Sequence, residues 1–212
     1  SEGNPYSIPA DNPFVGRKDF APETWAYGFR NPWRIEVDDV TGQVWVGNNG
    51  QDLWEQVYFV TKGANYGWSV YEGSRPFYPN RKLGPTPVSK PILEHSHAES
   101  RSLTGGIVYR GKKLPKLNGY YLYGDYSTGK IWAAKHDGKK IVDQLELTDT
   151  SLNITDFKLN SRGELLIADH AKAKEGGGFY QLVPTSAKVK ESDFPKTLSA
   201  TGLFADLATR EL

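Results

Sequence analysis

The sequence predicts an all-β protein, a β-propeller of four-stranded antiparallel blades, about three of which are present. Three observations predict it. The composition is rich in strand and turn formers, with aromatic residues at 13%, 6 Trp, 12 Tyr, 22 Gly and 13 Pro, and no helix-length stretch sustains an apolar period of about 3.6 residues. One seven-residue template occurs three times, as Gly42-Gln-Val-Trp-Val-Gly-Asn48, Gly119-Tyr-Tyr-Leu-Tyr-Gly-Asp125 and Gly163-Glu-Leu-Leu-Ile-Ala-Asp169. It reads as a turn Gly, a variable residue, three strand formers, a small residue, then Asn or Asp. The last two copies begin 44 residues apart (163 − 119) and the first two 77 (119 − 42). A four-stranded blade takes about 40 to 45 residues, so the longer interval is one blade plus an insertion. A β-sandwich would not explain why the same Gly and Asn/Asp positions recur.

Taken in order, residues 1–19 form a lead-in from a preceding blade and 20–68 a first blade. That blade has a strand at Ile35-Glu36-Val37, a polar turn over Asp38 to Thr41, the first repeat, and a strand from Gln56 to Val60. Residues 69–101 are a Pro-rich insertion (Arg75-Pro76, Pro79, Pro85, Pro87, Pro91) without a strand pattern, expected as a long surface loop. A second blade spans 102–149, with Ile107 to Tyr109, the second repeat and Lys130 to Ala134. A third spans 150–184, with Phe157 to Leu159, the turn Asn160-Ser161-Arg162, the third repeat and Gly178 to Val183. Residues 185–212 are expected as a polar linker ending in a short helix.

Balanced charge, 26 Lys+Arg against 25 Asp+Glu, provides no field to attract nucleic acid or an anionic membrane. No apolar run is long enough for a membrane span. The absence of Cys excludes disulfides and thiolate metal sites. The absence of Met, including an initiator, leads us to expect a piece of a longer protein. Three blades would leave open edges, to be covered by the remaining blades or by a second copy.

Because antiparallel strands alternate direction, the loop before the first strand of a blade opens on the same face as the loop after the second. That rule brings together Arg30-Asn31, Ser100 to Thr104 and Asn153 to Thr155 from one set of loops, with Asn48 to Asp52, Asp125 to Thr128 and Asp169-His170 from the other. One Arg among amides, hydroxyls and acids suits a small ligand bearing carboxylates or hydroxyls, with oxygens available for a hard cation. His95 and His97 form a His-x-His pair that lacks a third ligand, which favours hydrogen bonding over metal binding. Asn153-Ile154-Thr155 is a glycosylation sequon on the same face, and Gly176-Gly177-Gly178 lacks the context of a phosphate loop.

The ordered set Tyr27-Gly28-Phe29-Arg30-Asn31-Pro32, Gly47-Asn48-Asn49-Gly50-Gln51, Glu55 and Gly63-Ala64-Asn65-Tyr66-Gly67-Trp68, continued by Leu103 to Gly111 and Gly119 to Lys130, resembles the C-terminal half of the glucose/sorbosone dehydrogenase family. The resemblance implies six blades in the whole protein, with pyrroloquinoline quinone (PQQ) and Ca²⁺ at the axial mouth. It implies Arg30, Asn31, Asn49, Ser127, Lys130 and Thr155 as cofactor-facing positions, and the carbonyls of Gly50 and Gln51 as Ca²⁺ ligands. It further implies oxidation of an aldose or polyol carbon, with a histidine as base and an external electron acceptor, in the periplasm or outside the cell. The family's histidine motif has no counterpart here, which leaves His170 as the mouth histidine. Where the family pairs the cofactor's carboxylates with arginines, this chain has Asn153, Ile154, Thr155 and Asp156. A propeller that kept the fold and binds carbohydrate or a partner protein without chemistry is the alternative.

Overall fold

The computed structural model describes residues 6–170 and 176–185. Its strands are β1 (Pro32–Val37), β2 (Val44–Asn48), β3 (Trp54–Val60), β4 (Tyr71–Glu72), β5 (Arg75–Pro76), β6 (Leu93–Ser96), β7 (Leu103–Val108), β8 (Tyr121–Asp125), β9 (Ile131–His136), β10 (Ile141–Thr148), β11 (Ile154–Leu159), β12 (Leu165–Asp169) and β13 (Gly178–Tyr180). They form antiparallel sheets in the orders β1-β2-β3-β6, β7-β8-β9-β10 and β11-β12-β13, with β4-β5 as a separate hairpin. The all-β propeller architecture expected from the repeats is therefore present, and each repeat is the second strand of its sheet.

The second sheet shows why its sequence is apolar in consecutive positions. Tyr121, Tyr123, Trp132 and Ala134 face the first sheet and pack on Trp45, Val57 and Leu93. Leu122, Ile131 and Ala133 face the third and pack on Ile154, Phe157, Leu165 and Ile167. Side chains alternate across a strand, so a sheet covered on both faces needs apolar residues in both phases. Trp45 stacks on Tyr121 with ring centroids 4.5 Å apart, locking the first interface. At one point the sheets approach too closely for any side chain: a Cβ on Gly47 would lie 2.5 Å from the Cα of Gly105.

Arg34 ties the three sheets together. From β1 its Nε donates to the Gly106 carbonyl on β7 at 3.0 Å, and its two terminal nitrogens bind the Asp156 carboxylate and the Phe157 carbonyl on β11.

The Pro-rich stretch differs from the surface loop expected of it. It supplies β6, which completes the first sheet by pairing with β3 through Trp54↔Ser96 to Val57↔Leu93. The strand is short, and the inward face of its alternation is carried by one Leu and one His, Leu93 and His95, which are 8% and 4% exposed. A histidine on the buried face hides the period-two pattern from a hydropathy reading. His95 is satisfied there by Tyr123 Oη at 2.9 Å and Glu99 Oε2 at 3.2 Å, while His97 pairs with Glu55 at 2.9 Å. The two histidines thus have separate hydrogen-bonding partners, and among the described residues no group of three His, Cys, Asp or Glu side chains could hold a metal.

All three sheets lie within one compact unit, Ser1–Leu182. Of the second unit, Val183–Leu212, residues 183–185 are described, and the linker and helix expected over 185–212 lie outside the described residues apart from Thr185. No helix among the described residues is long and apolar enough to cross a membrane.

Candidate functional site

The repeated Asn or Asp makes the same bonds three times. Asn48 Oδ1 accepts the amide of Asn31 at 3.0 Å, Asp125 Oδ2 that of Ser102 at 2.7 Å, and Asp169 Oδ1 that of Asn153 at 2.8 Å. The residue after each returns a bond: the amides of Asn49, Tyr126 and His170 donate to the carbonyls of Asn31, Ser102 and Asn153 at 3.0, 2.8 and 2.9 Å. The first and second strands of every sheet are thereby clamped at the same end, and that end is where the loops converge.

Immediately inside each clamp the first strand carries a bulge. Pairing skips Trp33 between Pro32 and Arg34, Thr104 between Leu103 and Gly105, and Thr155 between Ile154 and Asp156. A bulge leaves its extra residue out of the ladder and re-aims that side chain. Trp33, Thr104 and Thr155 all line one cavity of about 410 Å³, together with Asn31, Asn49, Ser102, Tyr126 and His170 and the apolar side chains of Leu103 and Ile154.

Among the residues singled out from the sequence, Asn31, Asn49, Thr155 and His170 therefore meet at this mouth. The His170 ring lies 3.2 Å from Tyr126 Oη. Arg30, outside the lining, donates from Nε to Gln51 Oε1 at 2.8 Å and lies over the Trp68 ring. Ser127 is exposed, and its amide closes on Asp125 Oδ1 at 2.8 Å. Lys130 is turned to Glu146 on β10, 3.0 Å away, so its ammonium does not reach the mouth. Sequence reasoning missed Trp33, 60% exposed on what reads as an ordinary strand residue after Arg-Asn-Pro. The signal would have been the bulge, which only strand pairing reveals.

Two buried carboxylates brace the wall that carries Ser102 to Thr104. Asp125 Oδ2 takes Ser100 Oγ and the Arg101 and Ser102 amides at 2.7 to 2.8 Å. Glu55, 1% exposed, takes the Leu103 amide at 2.9 Å, and burial pushes its carboxyl above the ordinary carboxylate range. A third, Glu72, organises the loop after β2. Its Oε1 accepts three consecutive amides, Gln51 at 2.6 Å, Asp52 at 2.7 Å and Leu53 at 3.2 Å. In a trans peptide the carbonyl opposes the amide, so the Gly50, Gln51 and Asp52 carbonyls face away from Glu72. Gly50 permits this because a Cβ there would lie 1.7 Å from the Trp54 carbonyl oxygen.

The family model described as Glucose / Sorbosone dehydrogenase matches residues 4–177. The chain belongs to this family. Curated relatives include the HIPL1 protein of Arabidopsis thaliana, 40% identical over 141 residues, or 60% of this chain and 20% of that protein. Another is the aldose sugar dehydrogenase YliI of Escherichia coli (strain K12), 25% identical over 76% of this chain and 44% of its own length. Among solved structures, a glucose dehydrogenase superposes with a TM-score of 0.66 at 23% identity, over 82% of this chain and 50% of that one. The PQQ-bound form of the aldose sugar dehydrogenase from Streptomyces coelicolor gives 0.60 at 19% identity, over 80% and 44%. These structures share the family's propeller fold. The chain spans about a fifth of the first curated relatives and about half of the solved structures.

The two groups that the family implies meet different receptions here. The Gly50, Gln51 and Asp52 carbonyls accept no hydrogen bond from the described residues, and such a donor set fits a hard cation such as Ca²⁺. A tricarboxylate quinone needs cations for its carboxylates, and among the described residues the lining contains no Lys or Arg. Among the described residues around it, Arg34 and Lys130 pair with the Asp156 and Glu146 carboxylates, Arg101 donates to the His97 carbonyl at 3.1 Å, and Arg30, bound to the neutral Gln51 side chain, keeps its charge beside the mouth. The described lining by itself thus supplies no cation for the carboxylates of PQQ.

Proposed function

We propose that this chain supplies one side of an axial mouth that binds a sugar or polyol, as part of a longer propeller of the glucose/sorbosone dehydrogenase family. The observation that carries the reading is the cavity of about 410 Å³, where two aromatic side chains, Trp33 and Tyr126, stand among Asn31, Asn49, Ser102, Thr104 and Thr155. Aromatic faces cover the C–H surface of a sugar ring, and converging amides and hydroxyls bind its hydroxyl groups. In this reading Ca²⁺ is held by the carbonyls of Gly50 and Gln51.

Oxidation of the bound sugar by the whole protein is a second reading, favoured by one feature. His170, 3.2 Å from Tyr126 Oη, places an imidazole at the mouth, a group able to accept a ligand hydroxyl proton. The two readings separate at the quinone, which oxidation requires and sugar binding does not.

Calorimetric titration with neutral mono- and disaccharides tests the proposal. At least one is expected to bind saturably, with loss of binding in Asn49→Ala. Absence of binding from the whole panel, in protein whose circular dichroism shows it folded, overturns it.

A further inference from the structure

We infer that the Pro-rich insertion carries a second binding surface, an aromatic row of Trp68, Phe77 and Tyr78 with Arg30 and Arg81 stacked at its two ends, which holds an acidic polysaccharide. The surface is separate from the sugar-binding mouth proposed above, since none of these five residues lines that cavity.

The hairpin of the insertion builds the row. β4 and β5 pair through Tyr71↔Pro76 and Glu72↔Arg75. The bonding runs on past the strands, from the Phe77 amide to the Val70 carbonyl at 2.7 Å and from the Tyr78 amide to the Ser69 carbonyl at 3.2 Å. Phe77 is thereby laid against Trp68 with ring centroids 5.3 Å apart, and Tyr78 meets Phe77 edge-on at 4.4 Å. A turn closed by the Arg81 amide on the Tyr78 carbonyl at 3.0 Å then brings Arg81 back over the row. Its guanidinium lies 4.1 Å from the centre of the Tyr78 ring and donates to Ser69 Oγ at 2.7 Å. At the other end Arg30 lies 6.0 Å from the centre of the Trp68 ring.

The charge here is one-sided. From Gly73 to Leu93 the chain has Arg75, Arg81, Lys82 and Lys90 and no acidic residue. The carboxylates that flank the stretch are committed elsewhere: Glu72 to three amides of the loop after β2, and Glu94 to the Ser74 amide at 2.7 Å and to Arg75 at 3.3 Å. Arg75 is therefore compensated. Arg30 and Arg81 bond to neutral side chains, Gln51 and Ser69, and neither forms an ion pair with a described residue, the exposed Asp52 included. A ring and a hydrogen bond hold each guanidinium in place, so an anion meets both at a reduced cost in side-chain freedom. Stacking on a ring leaves N–H edges to receive a carboxylate. Tyr78, 43% exposed, presents its ring beside Arg81. A uronic acid unit pairs a carboxylate with an apolar C–H face, which matches guanidinium next to ring; an acidic peptide brings the charge without the face.

Arg30 is also the position that the family resemblance turns toward the cofactor, so the test rests on Arg81 and Tyr78. Binding of an oligogalacturonate, an oligoglutamate of equal charge and a malto-oligosaccharide is measured by calorimetry on the full-length protein. The oligogalacturonate is expected to bind saturably, more tightly than either of the others, and to weaken as salt is raised. Arg81→Gln and Tyr78→Ala are each expected to weaken it about five- to tenfold, and Lys116→Gln, exposed at the opposite end of the sheets, to leave it unchanged. Should Tyr78→Ala not fold, Tyr78→Leu keeps the bulk without the aromatic face. Absence of oligogalacturonate binding overturns the inference, as does equal affinity for the oligoglutamate, which would reduce the surface to charge alone. Unchanged affinity in Arg81→Gln, or an equal loss in Lys116→Gln, overturns it too. Oligogalacturonate binding that persists in Arg81→Gln but disappears in Asn49→Ala would place the acidic sugar in the mouth and sink this surface while leaving the mouth standing.

Discussion

Asp125, at the end of β8, accepts the backbone amide of Ser102 at 2.7 Å, just ahead of β7, and is one of three residues that close their sheets in this way. It is fully buried, and its second oxygen takes the amides of Ser127 and Thr128 at 2.8 Å. One side chain thus fixes the loops on both sides of Tyr126.

Asp125→Ala is expected to destabilise the fold by about 3 kcal/mol or more, since buried donors left without an acceptor cost about 1 to 3 kcal/mol each. Asp125→Asn, which keeps one carbonyl oxygen, should cost less. Urea denaturation of the two variants measures the difference.

Arg34→Leu removes the side chain that joins β1 to β7 and β11. It strands the partly exposed Asp156 carboxylate and two carbonyls, for an expected loss of about 2 to 4 kcal/mol. The melting temperature should fall accordingly, while Arg34→Lys, which cannot reach all three partners, should recover only part of it.

Glu72→Gln tests the loop after β2. An amide oxygen is a weaker acceptor for three converging amides than a carboxylate, so the carbonyls of Gly50, Gln51 and Asp52 should lose their common orientation. Terbium luminescence, used as a probe for a Ca²⁺ site, should show saturable binding in the native protein and weaker binding in Glu72→Gln, at unchanged far-ultraviolet circular dichroism. Equal binding by both would detach Glu72 from the cation.

His95 predicts how stability varies with pH. Burial between Tyr123 and Trp132 holds its pKa below the ordinary histidine value, against the pull of Glu99, Asp125 and Glu146. The folded protein therefore binds this proton less tightly than the unfolded chain. Its contribution is complete above the unfolded value of about 6.5 and is lost as pH falls through the lower folded value. Stability measured between about pH 7 and pH 5 should decline toward acid, and His95→Gln should flatten that slope.

Much of the fold was legible in the sequence because the repeat records a bonding requirement. The Asn or Asp at 48, 125 and 169 is needed to cap the neighbouring strand, the small residue before it lets sheets approach, as Gly47 does against Gly105, and the three strand formers fill both faces. The convergence of Asn31, Asn49, Thr155 and His170 was legible too, since it follows from strand direction alone. Strand β6 escaped because its buried histidine breaks the hydropathy pattern. Trp33 escaped because a bulge is a property of register between strands. Lys130 was placed by its nearness in sequence, and its pairing with Glu146 across β9 and β10 is a contact that no local reading gives.

The claim that a sugar ring lies on Trp33 is tested most directly by following the indole N–H resonances of the 6 tryptophans during an NMR titration with the best-binding glycoside, Trp33 being assigned by its loss in Trp33→Phe. The Trp33 resonance is expected to move saturably with ligand, while that of Trp45, 3% exposed between the first two sheets, stays in place. A Trp33 resonance that does not move while the sugar binds would contradict the account.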